Sequence, residues 1–164
     1  ININNQPTAR IVIIRNINKE KKLITFNTDY RSPKIKEIGQ NNQCLLLFYS
    51  AKLKEQIRIK VLSSIEYQSI TAKKSWRETQ LMSRKCYLSS IAPSTTVSNA
   101  TDGLPIHLKG KEPNKEESEV GINNFAVVFN YIQTIDWLYL SSNGHKRILF
   151  SWNQGKRINQ WIVP

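Results

Sequence analysis

Thr28-Asp29-Tyr30-Arg31-Ser32-Pro33-Lys34 marks the point where an apolar, strand-like run, Leu23 to Thr28, turns into a short helix. Ser32 is a residue type that caps helix N-termini, and Pro33 suits the first helical position because its missing N–H has no intrahelical partner there. Ile35 and Ile38, three residues apart, would face a core, and Gly39 with Asn41 and Asn42 predicts the stop. A helix start carries unpaired N–H groups and the positive end of a dipole. This one adds the Ser32 hydroxyl and the cations Arg31 and Lys34. Such an end attracts an anion such as phosphate. Taken alone, the stretch reads more simply as a capped helix with solvated basic residues.

Upstream, Arg10-Ile-Val-Ile-Ile-Arg15 is apolar between two cations and predicts a strand buried on both faces. A turn over residues 16–22 would pair it as a hairpin with Leu23 to Thr28. Downstream, Cys44-Leu-Leu-Leu-Phe-Tyr49 predicts a third buried strand. Residues 54–66 predict a fourth, with Ile57, Ile59 and Val61 on one face and Gln56, Arg58 and Lys60 on the other. Residues 69–88 have helical spacing. Residues 89–121 hold Ser, Thr, Pro, Gly and charge without a sustained period and predict a long loop. Strands resume over 124–132, 135–140, 146–152 and 157–163, with turn signals at Asn143-Gly144 and Gly155. Eight strands and two helices joined by short turns predict one domain over residues 1–164, mainly β, an antiparallel barrel with two flanking helices.

The chain has 164 residues, 40% of them hydrophobic, enough for one folded core. The first residue is Ile1 rather than Met, which leaves room for N-terminal elements ahead of it. No apolar run approaches a membrane span, and no secretory leader is visible. The net charge of +12, from 24 Lys and Arg against 12 Asp and Glu, favours an anionic partner. The densest basic cluster, Lys19, Lys21 and Lys22, falls in a predicted turn and reads as a solvated loop tip. Cys44 and Cys86 are expected to be buried thiols. With only two cysteines and two histidines, His107 and His145, no metal-ligand spacing is present, so no metal is expected. Reduced cysteines fit a cytoplasmic protein. No nucleophile elbow, P-loop or dinucleotide fingerprint occurs.

Cations at strand ends are the better lead, because burying Arg10, Arg15, Arg58 or Arg147 requires an anionic or hydrogen-bonding partner. Gln56 directs an amide to the wet face of its strand, and an amide suits a flat heterocycle with mixed donor and acceptor edges. Each of these reads singly as an ordinary surface side chain.

Together they form an ordered series: Arg10-x-Val-Ile-Ile-Arg15, Thr28-Asp-x-Arg-Ser-x-Lys34, Leu47-Phe-Tyr49 and Gln56-Ile-Arg58. The series resembles the pyridoxamine 5′-phosphate oxidase-related family of FMN-binding split barrels, in the branch carrying Thr-Asp-x-Arg-Ser-x-Lys. Ile135-Asp136-Trp137 before a hairpin, then Arg147, extends the resemblance, which spans residues 8–88 and 122–164. The resemblance implies a split β-barrel homodimer with FMN at the subunit interface. It implies that Arg10, Ser32 and Lys34 grip the FMN phosphate, with Arg31 compensating for the cation that Pro33 replaces. The backbone of Ile11, Val12, Ile13 and Ile14 would run along the flavin, with Arg15 near its reactive side. Asn27 and Thr28 match a Tyr-Thr pair, and Gln56 would contact the isoalloxazine ring. Leu138 falls where the oxidases have a flavin-packing Trp, and Arg147 of the other subunit would bond the pyrimidine edge. Arg15 and His145 are the catalytic candidates.

Departures bear on the substrate. The long helix offers Trp76, Arg77 and Arg84 where the oxidases grip a substrate phosphate, and Asn143 stands where an Arg is expected. The reading is an FMN-dependent oxidoreductase acting on a small molecule, a phosphorylated one among the candidates, with no membrane partner. A non-catalytic module that stores or senses flavin, or binds haem, is the second reading. A basic barrel binding single-stranded nucleic acid through Tyr49, Trp76 and the lysines ranks last.

Overall fold

The computed structural model describes residues 1–164. Seven strands form one antiparallel sheet: β1 (Ile14–Asn18), β2 (Leu23–Asp29), β3 (Gln43–Ser50), β4 (Glu55–Tyr67), β5 (Phe125–Tyr139), β6 (Lys146–Asn153) and β7 (Lys156–Trp161). The order β1-β2-β5-β4-β3 has β5 at its centre, and the β6–β7 hairpin attaches to the far end of β5. One edge of β5 therefore serves two partners, β2 along Phe125–Tyr131 and β6 along Ile135–Tyr139. The sheet curls but does not close, since β3 pairs only with β4.

Five expectations need correction. The strand expected over residues 10–15 begins only at Ile14, and it is not buried on both faces: Ile11 is 99% and Ile13 65% exposed. Val12 and Ile14 turn inward, Val12 against Phe26, Ile38 and Val128, and Ile14 against Ile24, Ile59 and Val61. The strands expected over 124–132 and 135–140 are one 15-residue strand, so the count is seven. Neither Gly nor Pro separates them, and a bulge opposite Lys60 and Val61 absorbs the irregularity without ending the ladder. The helix expected over 69–88 is α2 (Ile70–Glu78), α3 (Leu81–Arg84) and a 3-10 turn, Lys85–Leu88. Its start is capped by Ser69, which accepts from the Ala72 N–H. The long loop contains α4 (Lys115–Glu119) between two 3-10 turns, opened by a capping box of Asn114 and Glu117. Cys86 is exposed, not buried, and both thiols are free.

Other elements follow their local chemistry. The helix α1 (Pro33–Gln40) has Ser32 at its N-cap and Pro33 at its first position, and it runs through Gly39 to end at Asn41. The β6–β7 turn uses Gln154 and Gly155, both at positive φ, as a two-residue hairpin requires. In β4, Ile59 and Val61 are buried and Lys60 is exposed, as the alternation predicts.

Two apolar layers flank the sheet. On one side, Ile24, Ile59 and Val61 form one cluster, and Phe26, Val128 and Ile38 of α1 another. On the opposite side, the rings of Trp76, Tyr87 and Phe125 pack edge to face at separations of 5.1–5.8 Å, with Val127 in the same cluster, which docks α2 on β5. Arg84 lies over the Trp76 ring at 4.7 Å and donates to Ser118 and Glu119, tying the 106–124 segment to α3. Among the polar groups buried in the sheet, Asn130 donates to the Ile24 and Val128 carbonyls and accepts from the Ser63 hydroxyl.

Candidate functional site

The end of β2 and the first turn of α1 bring three donors together. The Lys34 ammonium lies 2.8 Å from Thr28 Oγ1 and 2.8 Å from Ser32 Oγ. Ser32 occupies the N-cap, yet its side chain caps nothing, so the hydroxyl is turned to Lys34 instead. Burial pushes the Lys34 pKa below its ordinary 10.5, and the neighbouring charge of Arg10 pushes the same way against the pull of Asp29 and Glu37. Arg10 donates to Thr8 at 2.9 Å and is ion-paired with Glu37 on α1. Arg31 does not join this group. Its guanidinium is spent on Asp29 at 2.7 and 3.0 Å and on the Ser89 carbonyl at 3.0 Å.

This donor set suits a phosphate. Two hydroxyls and an ammonium converge without a carboxylate between them, and the two nearest acids, Asp29 and Glu37, are engaged by Arg31 and Arg10. A partly desolvated cation whose proton is held less tightly than usual is one that an anion would stabilise.

On the other side of β2, Asn27 reaches Thr79 at the end of α2, Nδ2 to Oγ1 at 3.5 Å. Both line a polar cleft of about 540 Å3, together with Arg15, Ser75, Gln80 and Ser83. Lys74 and Glu78 also line it, 4.0 Å apart and largely exposed. Besides this charged pair, the helix side of the cleft presents hydroxyls and an amide: Thr71, Ser75, Thr79, Gln80 and Ser83. Of the helix residues anticipated, Trp76 is fully buried, Arg84 is committed to Ser118 and Glu119, and Arg77 points to solvent. The four-residue spacing of Thr71, Ser75 and Thr79 was the legible signal for this lining.

A third group lies on the outward face of β4, β5 and β6. The register sets Gln56 opposite Leu138 and Leu138 opposite Arg147, so the three form one row across the sheet. In the next row Arg58 faces Asp136. Arg147 grips Asp136 with both arms of its fork, Nε to Oδ1 at 3.0 Å and Nη2 to Oδ2 at 2.8 Å. Arg58 donates to Oδ2 from the other side. The hydrogen bonds from Arg147, joined by those from Arg58, hold the Asp136 carboxyl down at about 2, while Arg147 is raised in turn. Sequence reasoning gave Asp136 no role, because its partner Arg58 lies 78 residues away.

His145 sits in the β5–β6 turn, where its Nδ1 accepts from the Ser141 N–H at 3.0 Å. It is exposed and holds the turn together. No three His, Cys, Asp or Glu side chains gather as metal ligands.

Residues 1–64 match the family model described as pyridoxamine 5′-phosphate oxidase, FMN-binding domain. Two curated relatives match within the chain. The pyridoxine/pyridoxamine 5′-phosphate oxidase of Colwellia psychrerythraea is 40% identical over 58 residues, 35% of this chain and 26% of that protein. Its namesake from Paraburkholderia phymatum is 41% identical over 54 residues, 33% of this chain and 24% of the other. The matched stretch therefore spans about a quarter of each curated relative. Among solved structures, a pyridoxamine 5′-phosphate oxidase-related, FMN binding protein of Nostoc punctiforme superposes with a TM-score of 0.78 at 19% identity, covering 100% of this chain and 84% of its own. PhzG from Burkholderia lata, solved with tetrahydrophenazine-1-carboxylic acid, gives 0.75 at 13% identity, covering 100% and 79%. At these identities the superpositions establish the fold. Residues 1–64 are thus similar in sequence to the pyridoxamine 5′-phosphate oxidase FMN-binding domain, and the whole chain shares the mainly antiparallel split-barrel fold of these solved structures.

Proposed function

We propose that this chain binds FMN and serves as an FMN-dependent oxidoreductase of the pyridoxamine 5′-phosphate oxidase-like type, working as a homodimer in the cytoplasm. The observation that carries the reading is the convergence of the Thr28 and Ser32 hydroxyls on the desolvated Lys34 ammonium, beside Arg10. In this reading Lys34 and Arg10 supply charge to the phosphate, while Thr28 and Ser32 orient it. The backbone of Ile11 to Ile14, outside the β1 ladder up to Ile13, is free to lie along the flavin. Bound FMN supplies hydride-accepting chemistry, and the chain's residues supply binding, orientation and electrostatics. Arg15 and Asn27 border the cleft in which a small substrate would lie, with Arg15 meeting any negative charge it carries.

The geometry of β5 supports the homodimer. Thr28 pairs with Ala126 near one end of β5, and the Gln56–Leu138–Arg147 row crosses the other end. Twelve residues of strand separate Ala126 from Leu138, up to ~40 Å of rise. That exceeds the length of a flavin mononucleotide. A flavin anchored at Lys34 therefore meets Gln56, Leu138 and Arg147 only when a second copy brings them. On that outward face Leu47 is 62% and Tyr49 63% exposed, as an apolar contact surface would be.

An absorption spectrum after FMN addition and removal of the excess tests the reading, with stoichiometric flavin bands as the expected outcome. Lys34→Ala or Arg10→Ala should weaken FMN binding by about tenfold or more. Unchanged affinity in both variants would remove the phosphate site.

The cleft favours a second reading, a module that stores or senses flavin or binds haem. Its helix side offers Ser75, Thr79 and Gln80, with Lys74 the only cation there. Anaerobic mixing of the flavin-loaded protein with pyridoxine phosphate, pyridoxamine phosphate and reduced nicotinamides separates the two. A bound flavin that none of them reduces favours the second.

A further inference from the structure

We propose that Asp136 is a positioning residue: it fixes the Arg147 guanidinium in the orientation that receives the pyrimidine edge of the flavin bound by a second copy. The inference rests on the FMN reading above and adds to it a residue without direct ligand contact.

Three observations carry it. The first is stoichiometry. One carboxylate is shared by two guanidinium groups, leaving the cluster with one uncompensated positive charge on an outward face. A pair serving sheet stability alone needs one cation; the excess faces outward, where electron density on a reduced flavin would sit. The second is geometry. Arg147 spends Nε and Nη2 on Asp136, which locks the plane of its fork and leaves Nη1 unspent. The third is support from the far side. Arg58, directly opposite Asp136 on β4, donates to the same carboxylate and opposes its rotation. With the Asp136 side chain 12% exposed against 25% for Arg147, the carboxylate is shielded and the arginine is reachable.

Two alternatives fit less well. A plain cross-strand ion pair would not need the carboxylate to reach two strands, and an anion site for a free ligand would not place a carboxylate at its centre. Asp136 is better placed to aim Arg147 than to bind anything itself.

The test is a double-mutant cycle on FMN affinity, using Asp136→Asn, Asp136→Glu, Arg147→Ala and the Asp136→Asn/Arg147→Ala double variant of the full chain. FMN binding by the unmodified chain, and its loss in Lys34→Ala, first checks the phosphate cradle independently. Asp136→Asn should then weaken FMN binding about tenfold in the native background. It should have no further effect once Arg147 is Ala, and Asp136→Glu should recover part of the loss. A role in sheet stability alone predicts additive losses of affinity in both backgrounds, which Asp136→Glu does not recover. Additivity, or unchanged affinity in Asp136→Asn, overturns the proposal while leaving the cradle intact. An unmodified chain that retains no FMN overturns both.

Discussion

Lys34 donates to the hydroxyl of Ser32, two residues before it, and this 2.8 Å bond stands where a helix cap would be. The hydroxyl closes no N–H of the first turn of α1, so it is spent on the cation rather than on the helix. Ser32→Ala should therefore cost little of the 0.5–2 kcal/mol that loss of a working cap costs, within about 0.5 kcal/mol by denaturant titration. FMN affinity should fall in the same variant, which separates a ligand role from a capping role.

The alkaline limb of FMN binding should report Lys34. Its folded-state pKa lies below 10.5 because burial and Arg10 disfavour its charge. In the flavin-free chain, the unfolded state therefore holds more protons over the window just below 10.5, and stability rises with pH across it. Binding runs the other way, since the phosphate needs the ammonium. Affinity should fall as pH climbs through the lowered value, and Lys34→Arg should flatten that fall.

Acid should act through Asp136. Its carboxyl is held at about 2 against an ordinary 3.8, so its stabilising contribution is complete above about 4 and is lost as pH falls toward 2. Melting temperatures measured across that window should fall more steeply for the native chain than for Asp136→Asn. The variant should start lower at neutral pH.

Gly121 should tolerate no side chain. A Cβ there would stand 3.0 Å from the edge of the Trp76 indole, 3.1 Å from Leu88 Cδ2 and 3.3 Å from Tyr87 Cβ. All three belong to packed segments, so relief means moving α2 or the 3-10 turn behind it. Gly121→Ala should destabilise by about 1–3 kcal/mol in urea. Trp76→Ala, which empties a fully buried site, should cost about 3–5 kcal/mol.

Features governed by local chemistry were legible in the sequence. The alternation of Gln56 through Val61, the start of α1 at Pro33 and the Gly155 turn each depend on residues within a few positions. Features set by distant partners were not. Ile11 and Ile13 look like core, yet no strand covers them within one chain. The 89–121 stretch lacks periodicity because its short helical turns are held by Arg84 and by packing rather than by an amphipathic face. The cap signature of Asn114 and Glu117 was the local clue to α4. The site divides the same way. Thr28, Ser32 and Lys34 sit within seven residues of one another, whereas the Asp136 clamp exists only through strand register.

The buried amide of Asn130 carries a cost and a use. Its two donors and its acceptor are matched by Ile24, Val128 and Ser63, groups drawn from three neighbouring strands. Sliding β2 or β4 by one residue along β5 would leave an amide stranded in an apolar layer, at about 1–3 kcal/mol for each unmade bond. An all-valine strand would accept such slips with little penalty. One asparagine thus acts as an alignment key for the 15-residue strand β5, and through that strand it fixes the distance between the phosphate cradle at one end and the arginine clamp at the other.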